Sequence, residues 1–159
     1  MPLTIVSTHA KFLLLTVLLP RLVAGQADSK TNKMETTATD SAVISQALEQ
    51  SYFKGIYEGD VNTLSQIFHP GTLLFGDVKG QPYAKTLAQY LDGVQHRQSP
   101  QQSGKPFKGT ILAIKVVNSI AMAEVQVKMY DFNYHELLSF HKIDGKWLIV
   151  NKMITDTNE

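Results

Sequence analysis

Three residues of this chain have side chains and surroundings suited to acid–base chemistry. Tyr52 falls on the apolar face of a predicted helix, where its phenol could donate to an oxygen that gains negative charge. Asp77 follows Leu73 and Phe75, apolar neighbours that suit a general base. His141 is predicted to point inward, and an imidazole there could move a proton near neutral pH. We therefore take Tyr52, Asp77 and His141 as candidate catalytic residues.

Each candidate also fits a structural role. Tyr52 could be a core tyrosine whose hydroxyl meets a backbone carbonyl. Asp77 lies in the stretch GDVKG, whose composition is typical of a turn. A lone inward histidine such as His141 is more often a satisfied structural group than a catalyst. Ser139 is predicted on the same strand face and could pair with His141 as a nucleophile, but neighbouring positions do not establish a hydrogen bond.

The composition excludes several kinds of site. The chain has 159 residues and no cysteine, so it has no disulfide, thiol nucleophile or thiolate metal site. His135 and His141 would stand about 20 Å apart on one strand, too far to share an ion. Glycine-rich phosphate loops are absent, and a formal net charge of +1 gives no basic surface for nucleic acid. We predict no metal, no cofactor and no nucleic-acid partner.

Residues 1–27 have the pattern of a secretory signal peptide. Lys11 precedes the apolar run FLLLTVLL, and small residues follow before residue 28. The run is too short to span a bilayer as a stable helix. We expect a periplasmic or secreted product with no membrane anchor, whereas a translation start at Met34 would give a cytoplasmic one.

The rest of the chain has the length of one domain, 40–159, after a polar and flexible lead-in, 28–39. Asp40 could cap the first helix, in which apolar residues recur every four positions. Gly59 and Asp60 are expected to end that helix and begin the next. The predicted bounds before residue 107 are 40–57, 61–68 and 83–96 for three helices and 72–78 for one strand.

From Phe107 onward the sequence predicts a meander of four strands. Asn118-Ser119 and Asp144-Gly145 have the chemistry of two-residue hairpin turns, and the connection at 131–133 is taken as three residues long. Because turns fix the register, this choice places Ala123 opposite His141.

The predicted pairing divides the sheet into two faces. One is mainly apolar, carries His135, Ser139 and His141, and should line a pocket beneath the helices. The other is mainly polar, with Lys128 and Glu136 as a cross-strand ion pair. A cluster of large apolar residues on this polar face is typical of a partner surface and predicts a homodimer. The cluster consists of Leu138, Phe140, Trp147 and Ile149, with Trp147 as the anchor.

The order of elements resembles the nuclear transport factor 2-like superfamily, in its lumazine-binding and SnoaL-like branch. The stretches that carry the resemblance are YFKGIYEGD (52–60), FHP (68–70) and KIDGKWLIVNK (142–152). The resemblance implies an α+β fold, a cone-shaped half-barrel with three N-terminal helices packed on a curved, mostly antiparallel sheet. It also implies a pocket inside the cone and dimers through the outer face of the sheet.

The ketosteroid isomerases of that superfamily use a carboxylate base, a tyrosine and a protonated aspartic acid. By this resemblance Tyr52 stands at the tyrosine position, Asp77 within one residue of the base, and Ser139 at the second donor. The further pocket positions expected are Leu48, Ile56, Phe75, Val125 and His135.

Three functions follow from these observations. The first is a domain that binds a small hydrophobic or planar ligand in the cone. The second is a cofactor-free isomerase, dehydratase or cyclase, with Asp77 or His141 as base and Tyr52 as oxyanion donor. The third is a structural homodimer. The direction in which Asp77 points distinguishes the first two, because the enzyme needs a base that faces the pocket.

Overall fold

The computed structural model describes residues 25–157. The predicted signal peptide, 1–27, lies outside this range except for its last three residues, which begin the first helix. Within the described range, no helix has the length and apolar character required to cross a membrane.

The N-terminal helix is longer than the sequence predicted. Helix α1 spans Gly25–Ala47, continues through a π-helical turn at Leu48–Phe53, and ends as α2, Lys54–Glu58. The segment 28–39 is therefore helical and not an irregular lead-in. Asp40 lies within the helix and not at its N-cap.

Tertiary contacts hold Asp40 in this mid-helix position. Its Oδ1 accepts hydrogen bonds from Trp147 Nε1 at 3.0 Å and from Lys142 Nζ at 2.8 Å. These bonds tie α1 to the last hairpin of the sheet. An aspartate that looks like a cap in the sequence is thus a link between layers.

The shorter helices begin and end at residues with the expected capping chemistry. Gly59 ends α2 in a left-handed conformation with φ of 72°, and Asp60 accepts from the amides of Asn62 and Thr63. Thr86 forms a capping box, so the next helix begins later than predicted. The remaining helices are α3 at Val61–Ser65, α4 at Leu87–His96 and the single turn α5 at Pro100–Ser103.

The sheet has six strands in the order β2-β1-β6-β5-β4-β3. All neighbours are antiparallel except β1 and β6. The curved sheet does not close, and the helices cover its concave face, which confirms the predicted α+β class. The strands are Phe68–Val78, Gln81–Thr86, Phe107–Val117, Ile120–Met129, Phe132–Ile143 and Lys146–Asp156, numbered β1 to β6.

The predicted register between β4 and β5 is wrong. The connecting turn has two residues, Tyr130 and Asp131, with Tyr130 at a positive φ of 55°. Ala123 therefore lies opposite Leu138 instead of His141. Because side chains alternate along a strand, this odd shift inverts the face of every β5 residue.

The predicted face of β6 is also inverted. The β5–β6 turn is as predicted, so the side chains of β6 after this turn follow the face of their partners in β5. The predicted dimer cluster of Leu138, Phe140, Trp147 and Ile149 is in the core, and Trp147 is only 5% exposed. Trp147 is therefore not an outer-face anchor. The predicted Lys128–Glu136 pair is also wrong, since Lys128 lies opposite Asn133.

A β-bulge in β6 changes its face a second time. Phe140 pairs with Ile149 and Ser139 pairs with Asn151, so Val150 has no opposite residue. Ile149 and Lys152, three positions apart, consequently both point to the concave face. A similar irregularity near Leu112 in β3 leaves that residue exposed, although the sequence predicted it to be buried.

Candidate functional site

A cavity of about 220 Å³ opens between the concave face of the sheet and helix α4. The apolar part of its lining is formed by Ile56, Val127, Met129 and Ile154. Three tyrosines, two lysines, one arginine and one glutamate contribute hydroxyl and charged groups to the same lining. The cavity therefore combines an apolar surface with a small set of polar groups, as small-molecule sites do.

A buried ion pair forms part of the cavity wall. Lys152 Nζ lies 2.7 Å from Glu136 Oε1, and each residue is only 2% exposed. Tyr52 forms hydrogen bonds with both members of the pair: its hydroxyl donates to Glu136 Oε2 at 2.6 Å and accepts from Lys152 Nζ at 2.5 Å. Glu136 and Lys152 reach the cavity, whereas Tyr52 does not. Tyr52 thus holds the two charged groups in position.

Three local features of the chain assemble this cluster. The two-residue turn after β4 brings Glu136 to the concave face, and the bulge at Val150 brings Lys152 to the same face. Tyr52 lies in the π-helical turn, an irregularity that occurs frequently at functional sites. Without the two-residue turn both charges would point away from the cavity, and without the bulge Lys152 would point to the face opposite to Glu136.

Burial controls the electrostatics of Tyr52. Burial first, and then the negative charge of Glu136, holds the pKa of Tyr52 well above its usual value. The phenol therefore stays protonated and remains the donor to Glu136. Lys152 Nζ also lies 5.2 Å from the ring centroid of Tyr52 and 5.1 Å from that of Tyr90, within range of cation–π attraction.

Three further tyrosines line the cavity. Burial raises the pKa of Tyr83, Tyr90 and Tyr134, in the last case to about 12. The positive charge of Arg97 opposes the rise at all three. The hydroxyls are therefore neutral at physiological pH and available as hydrogen-bond donors.

The structure places Asp77 on the outer face of the sheet. Its Oδ1 accepts a hydrogen bond from Thr155 Oγ1 at 2.9 Å, and the cavity lining does not include it. Phe75 lies on the same outer face and is 46% exposed. The resemblance matched Asp77 to the base position only within one residue, and a shift of one residue along a strand turns a side chain to the opposite face. In the structure the carboxylate of Asp77 accordingly points away from the cavity.

His141, Ser139 and His135 lie on the outer face as well, because they belong to the inverted strand. His141 is exposed, and His135 Nε2 lies 2.9 Å from Glu124 Oε1. Ser139 and His141 line a shallow groove on this outer face. They do not meet Tyr52 or the cavity.

Of the other predicted pocket residues, Ile56 lines the cavity. Leu48 and Val125 are buried in the core beside it without contributing to its wall. Among the described residues, no group of three or more His, Cys, Asp or Glu side chains is arranged to hold a metal ion.

Comparison with known proteins identifies the family. The model of the family described as "Putative lumazine-binding" matches residues 23–155. The chain belongs to this family. Membership in the lumazine-binding family agrees with the cavity and supports a ligand-binding domain.

Solved structures show the same fold. The chain is similar to a nuclear transport factor 2-like protein of unknown function from Shewanella baltica, with a TM-score of 0.67, 21% identity, and coverage of 77% of this chain and 97% of that one. A second such protein, from Methylobacillus flagellatus, has a TM-score of 0.68, 23% identity, and coverage of 77% and 95%. These similarities show that the chain shares the fold of these two proteins.

A named relative is the aldolase FrzH from Cladobotryum sp. It is 27% identical to this chain over 118 residues, which cover 74% of this chain and 91% of FrzH.

The sequence prediction missed the charged residues of the cavity in this member of the lumazine-binding family. The sequence predicts Glu136 as half of a surface ion pair, and it gives Lys152 no role beyond its place at the end of KIDGKWLIVNK. Arg97 follows α4 without any pattern that separates it from a surface arginine. A register with Glu136 inside would have shown the need for a buried cation, because a buried carboxylate is rarely unpaired.

Proposed function

We propose that this protein binds a small, planar organic molecule whose ring carries carbonyl oxygens, with the cavity beside α4 as the site. The observation that carries the proposal is the buried Glu136–Lys152 pair on the wall of a cavity that is also lined by apolar and aromatic side chains. A buried pair at a cavity wall is costly to desolvate, and a polar ligand that contacts it adds hydrogen bonds there.

The size and lining of the cavity support a ligand of one or two rings. A cavity of about 150 Å³ accommodates benzene, and this one has about 220 Å³. Tyr83, Tyr90 and Tyr134 offer ring faces for stacking and hydroxyls for hydrogen bonds. A planar heterocycle with carbonyl oxygens, the chemical type of lumazine, matches this combination.

A variant that fills part of the cavity tests the proposal. Gly93 lines the cavity from α4, and a Cβ added there would have Lys85 Nζ, 3.9 Å away, as its nearest neighbour. Gly93→Leu should therefore fold and fill part of the cavity. Ligand-observed NMR with a set of one- and two-ring carbonyl compounds should give ligands that bind the wild type and lose binding in Gly93→Leu.

The matched control is Gln95→Leu, which adds the same side chain to an exposed position of α4 outside the cavity lining. It should bind as the wild type does. Ligands that bind Gly93→Leu as well as the wild type would overturn the cavity as the binding site.

A second candidate function is an aldol-type lyase. The similarity to a protein named an aldolase supports it, and so does a carboxylate beside an ammonium group on the cavity wall. The predicted enzyme needed Asp77 or His141 as base, and both lie on the outer face. In this version Glu136 takes the role of base, and Lys152 replaces Tyr52 as the group that stabilises the oxyanion.

The chemistry of this candidate balances without a cofactor. Glu136 takes the proton from the carbon next to a ketone carbonyl, and the ammonium of Lys152 stabilises the enolate oxygen that forms. The enolate carbon then bonds to the carbonyl carbon of an aldehyde or second ketone. The new alkoxide takes the proton back from Glu136. Tyr52 positions both groups without contact with the substrate.

Exchange of α-protons for deuterium tests the lyase on its first step. A panel of small cyclic and aryl ketones in D₂O should show exchange with the wild type that Glu136→Gln slows by about 100-fold or more, the usual contribution of a general base. Asp77→Asn and His141→Asn should exchange at the wild-type rate. Equal loss in Asp77→Asn, or no exchange in the wild type, would reject this candidate while leaving ligand binding intact.

We also propose a homodimer, now through the outer face as the structure has it. Apolar side chains exposed there include Met122, at 49%, and Met153, at 52%, together with Phe75. An apolar patch on the open face of a sheet favours burial against a second copy.

Export through the signal peptide at 1–27 is likewise proposed, and the mass of the product after expression in a secreting host tests it.

A further inference from the structure

We infer that Arg97 binds a carboxylate or phosphate group of the cavity's ligand, an inference that rests on the proposed function. Arg97 lines the cavity, and its Nε and Nη2 are buried without a hydrogen-bond partner among the described residues. Buried polar atoms are nearly always paired, so two orphaned donors on one guanidinium call for an acceptor. The Glu136–Lys152–Tyr52 cluster contrasts with this, because its groups are paired with one another.

The position of Arg97 in the fold directs it to the cavity. It is the residue directly after α4, with an extended backbone at φ −93° and ψ 152°. Helix residues Tyr90 and Gly93 line the same cavity, three and four positions apart from one another and from Arg97. The last turn of α4 has its own basic residue, His96, whose Nδ1 lies 2.9 Å from the carbonyl of Asp92.

The charges of the lining favour an anion. Three cationic side chains, Lys85, Arg97 and Lys152, line the cavity with one carboxylate, Glu136. Glu136 is already engaged by Lys152 at 2.7 Å. A ligand anion near Arg97 would reduce the excess positive charge, and the planar guanidinium fork matches a carboxylate through two parallel hydrogen bonds.

The tyrosine hydroxyls that line the cavity also suit an anionic group of the ligand. Arg97 acts electrostatically on Tyr83, Tyr90 and Tyr134, each of which is a neutral phenol. Neutral phenols donate hydrogen bonds to an anion without repelling it. The cavity thus contains a guanidinium with unpaired donors and neutral phenols in addition to the Glu136–Lys152 pair, so its ligand is a planar acid and not a neutral ring.

Benzoate and benzamide separate charge from shape, because they differ little in size. We expect the full chain to bind benzoate at least roughly tenfold more tightly than benzamide in isothermal titration calorimetry, a difference of about 1.4 kcal/mol. Arg97→Gln should remove the preference, and Arg97→Lys should retain part of it. Lys108→Gln, which removes one charge from an exposed strand position, is the matched control and should keep the preference.

A measurement on the wild type covers the case in which Arg97→Gln does not fold. In a ¹⁵N-labelled sample, the Arg97 Nε–H signal should shift on addition of benzoate and stay unchanged with benzamide. Phenyl phosphate in the same titration distinguishes the two sources of the anion: a larger response than to benzoate assigns a phosphate ester, and a smaller one a carboxylic acid.

The outcomes separate this inference from the proposed function. Equal affinity for benzoate and benzamide, both lost in Gly93→Leu, would overturn the anion site and support the cavity as a neutral-ligand site. Failure of all three probes to bind would overturn the anion site, and the Gly93→Leu screen would then decide the proposed function independently.

Discussion

Lys152 Nζ and Glu136 Oε1 lie 2.7 Å apart at the wall of the cavity, although the two residues are on different strands and 16 positions apart in sequence. The ion pair faces the cavity because a two-residue turn sets the face of β5, and a β-bulge brings Lys152 of β6 to the same face as Glu136. It is both a structural element and the group most able to act on a ligand. The contribution of the ion pair to the free energy of unfolding can therefore be measured separately from its role in ligand binding.

Removal of one partner of this pair should be strongly destabilising. Lys152→Met leaves the Glu136 carboxylate buried without its cation, and we expect a loss of about 3–5 kcal/mol in the free energy of unfolding. The double variant Glu136→Leu, Lys152→Met should be more stable than Lys152→Met, since no buried charge is left. Urea denaturation measures the free energy of unfolding of the wild type, the single variant and the double variant. A double variant that is less stable than Lys152→Met would contradict the prediction.

The hydroxyl of Tyr52 should contribute to stability through its two hydrogen bonds. Tyr52→Phe removes the donor to Glu136 and the acceptor for Lys152, and we expect a loss of about 1–3 kcal/mol, the usual penalty for unpaired buried groups. Tyr57→Phe removes a hydroxyl from a more exposed position in the same helix and should change stability by less than about 0.5 kcal/mol. Thermal unfolding distinguishes them, and equal effects would show that the buried hydroxyl has no special role.

Asp40 should make stability depend on pH in the acid range. The hydrogen bonds from Lys142 and from Trp147 lower the pKa of Asp40 below its ordinary value of 3.8. Its stabilising contribution is therefore complete above pH 3.8 and is lost as pH falls through the lower folded-state value. Asp40→Asn should flatten this part of the curve of stability against pH.

Fluorescence reports the same titration, because Trp147 is the only tryptophan and donates its Nε1–H to Asp40. Trp147 emission should change as Asp40 takes up a proton in the folded state. Asp144→Asn, in the last hairpin turn, is the control and should leave both curves unaltered. A change in Trp147 emission that persists in Asp40→Asn would assign it to another group.

The same substitution at two glycines should have opposite effects. A Cβ at Gly109 would lie 2.3 Å from Cγ of Phe53, and we expect Gly109→Ala to cost about 1–3 kcal/mol through overpacking. Gly93 lies within α4 with its surroundings open, so Gly93→Ala should stabilise by about 0.5–1 kcal/mol. Chemical denaturation measures both, and destabilisation at Gly93 would contradict the open space beside Lys85.

The proposed dimer should depend on Met122 and not on Trp147. Met122→Glu places a charge in the exposed apolar patch, and we expect the dimer to become a monomer in sedimentation velocity. Gln95→Glu on α4 is the control for added charge and should sediment as the wild type does. A dimer that withstands Met122→Glu would remove the outer face as the interface.

Local signals in the sequence were sufficient for most elements and turns, but they did not predict β2, α5 or the N-terminal part of α1. Gly59 and Asp60 end one helix and cap the next, and Asp144-Gly145 forms the last hairpin at positive φ. These positions depend on the conformation of one or two residues, which residue type largely determines. The α+β class followed from the order of such elements.

The faces of β5 and β6 were beyond the reach of the sequence. Leu137 and Leu138 are adjacent in β5, and Leu148, Ile149 and Val150 are consecutive in β6. Strands with apolar residues on both faces give no preference for either one. A turn one residue shorter than expected then inverts the whole set. Burial beneath the helices decides the face, and only the folded chain contains that information.

The sequence by itself thus determined most of the helices and strands, the boundary at Gly59 and Asp60, and two of the hairpins, because these arise from contacts within a few residues. The tertiary structure alone decided that Glu136, Lys152 and Arg97 meet one cavity while Asp77 and His141 stay outside. The register of β4 against β5 and the bulge at Val150 produce this outcome. Both are set by how the sheet packs against the helices, a long-range free energy that no short stretch of the chain encodes.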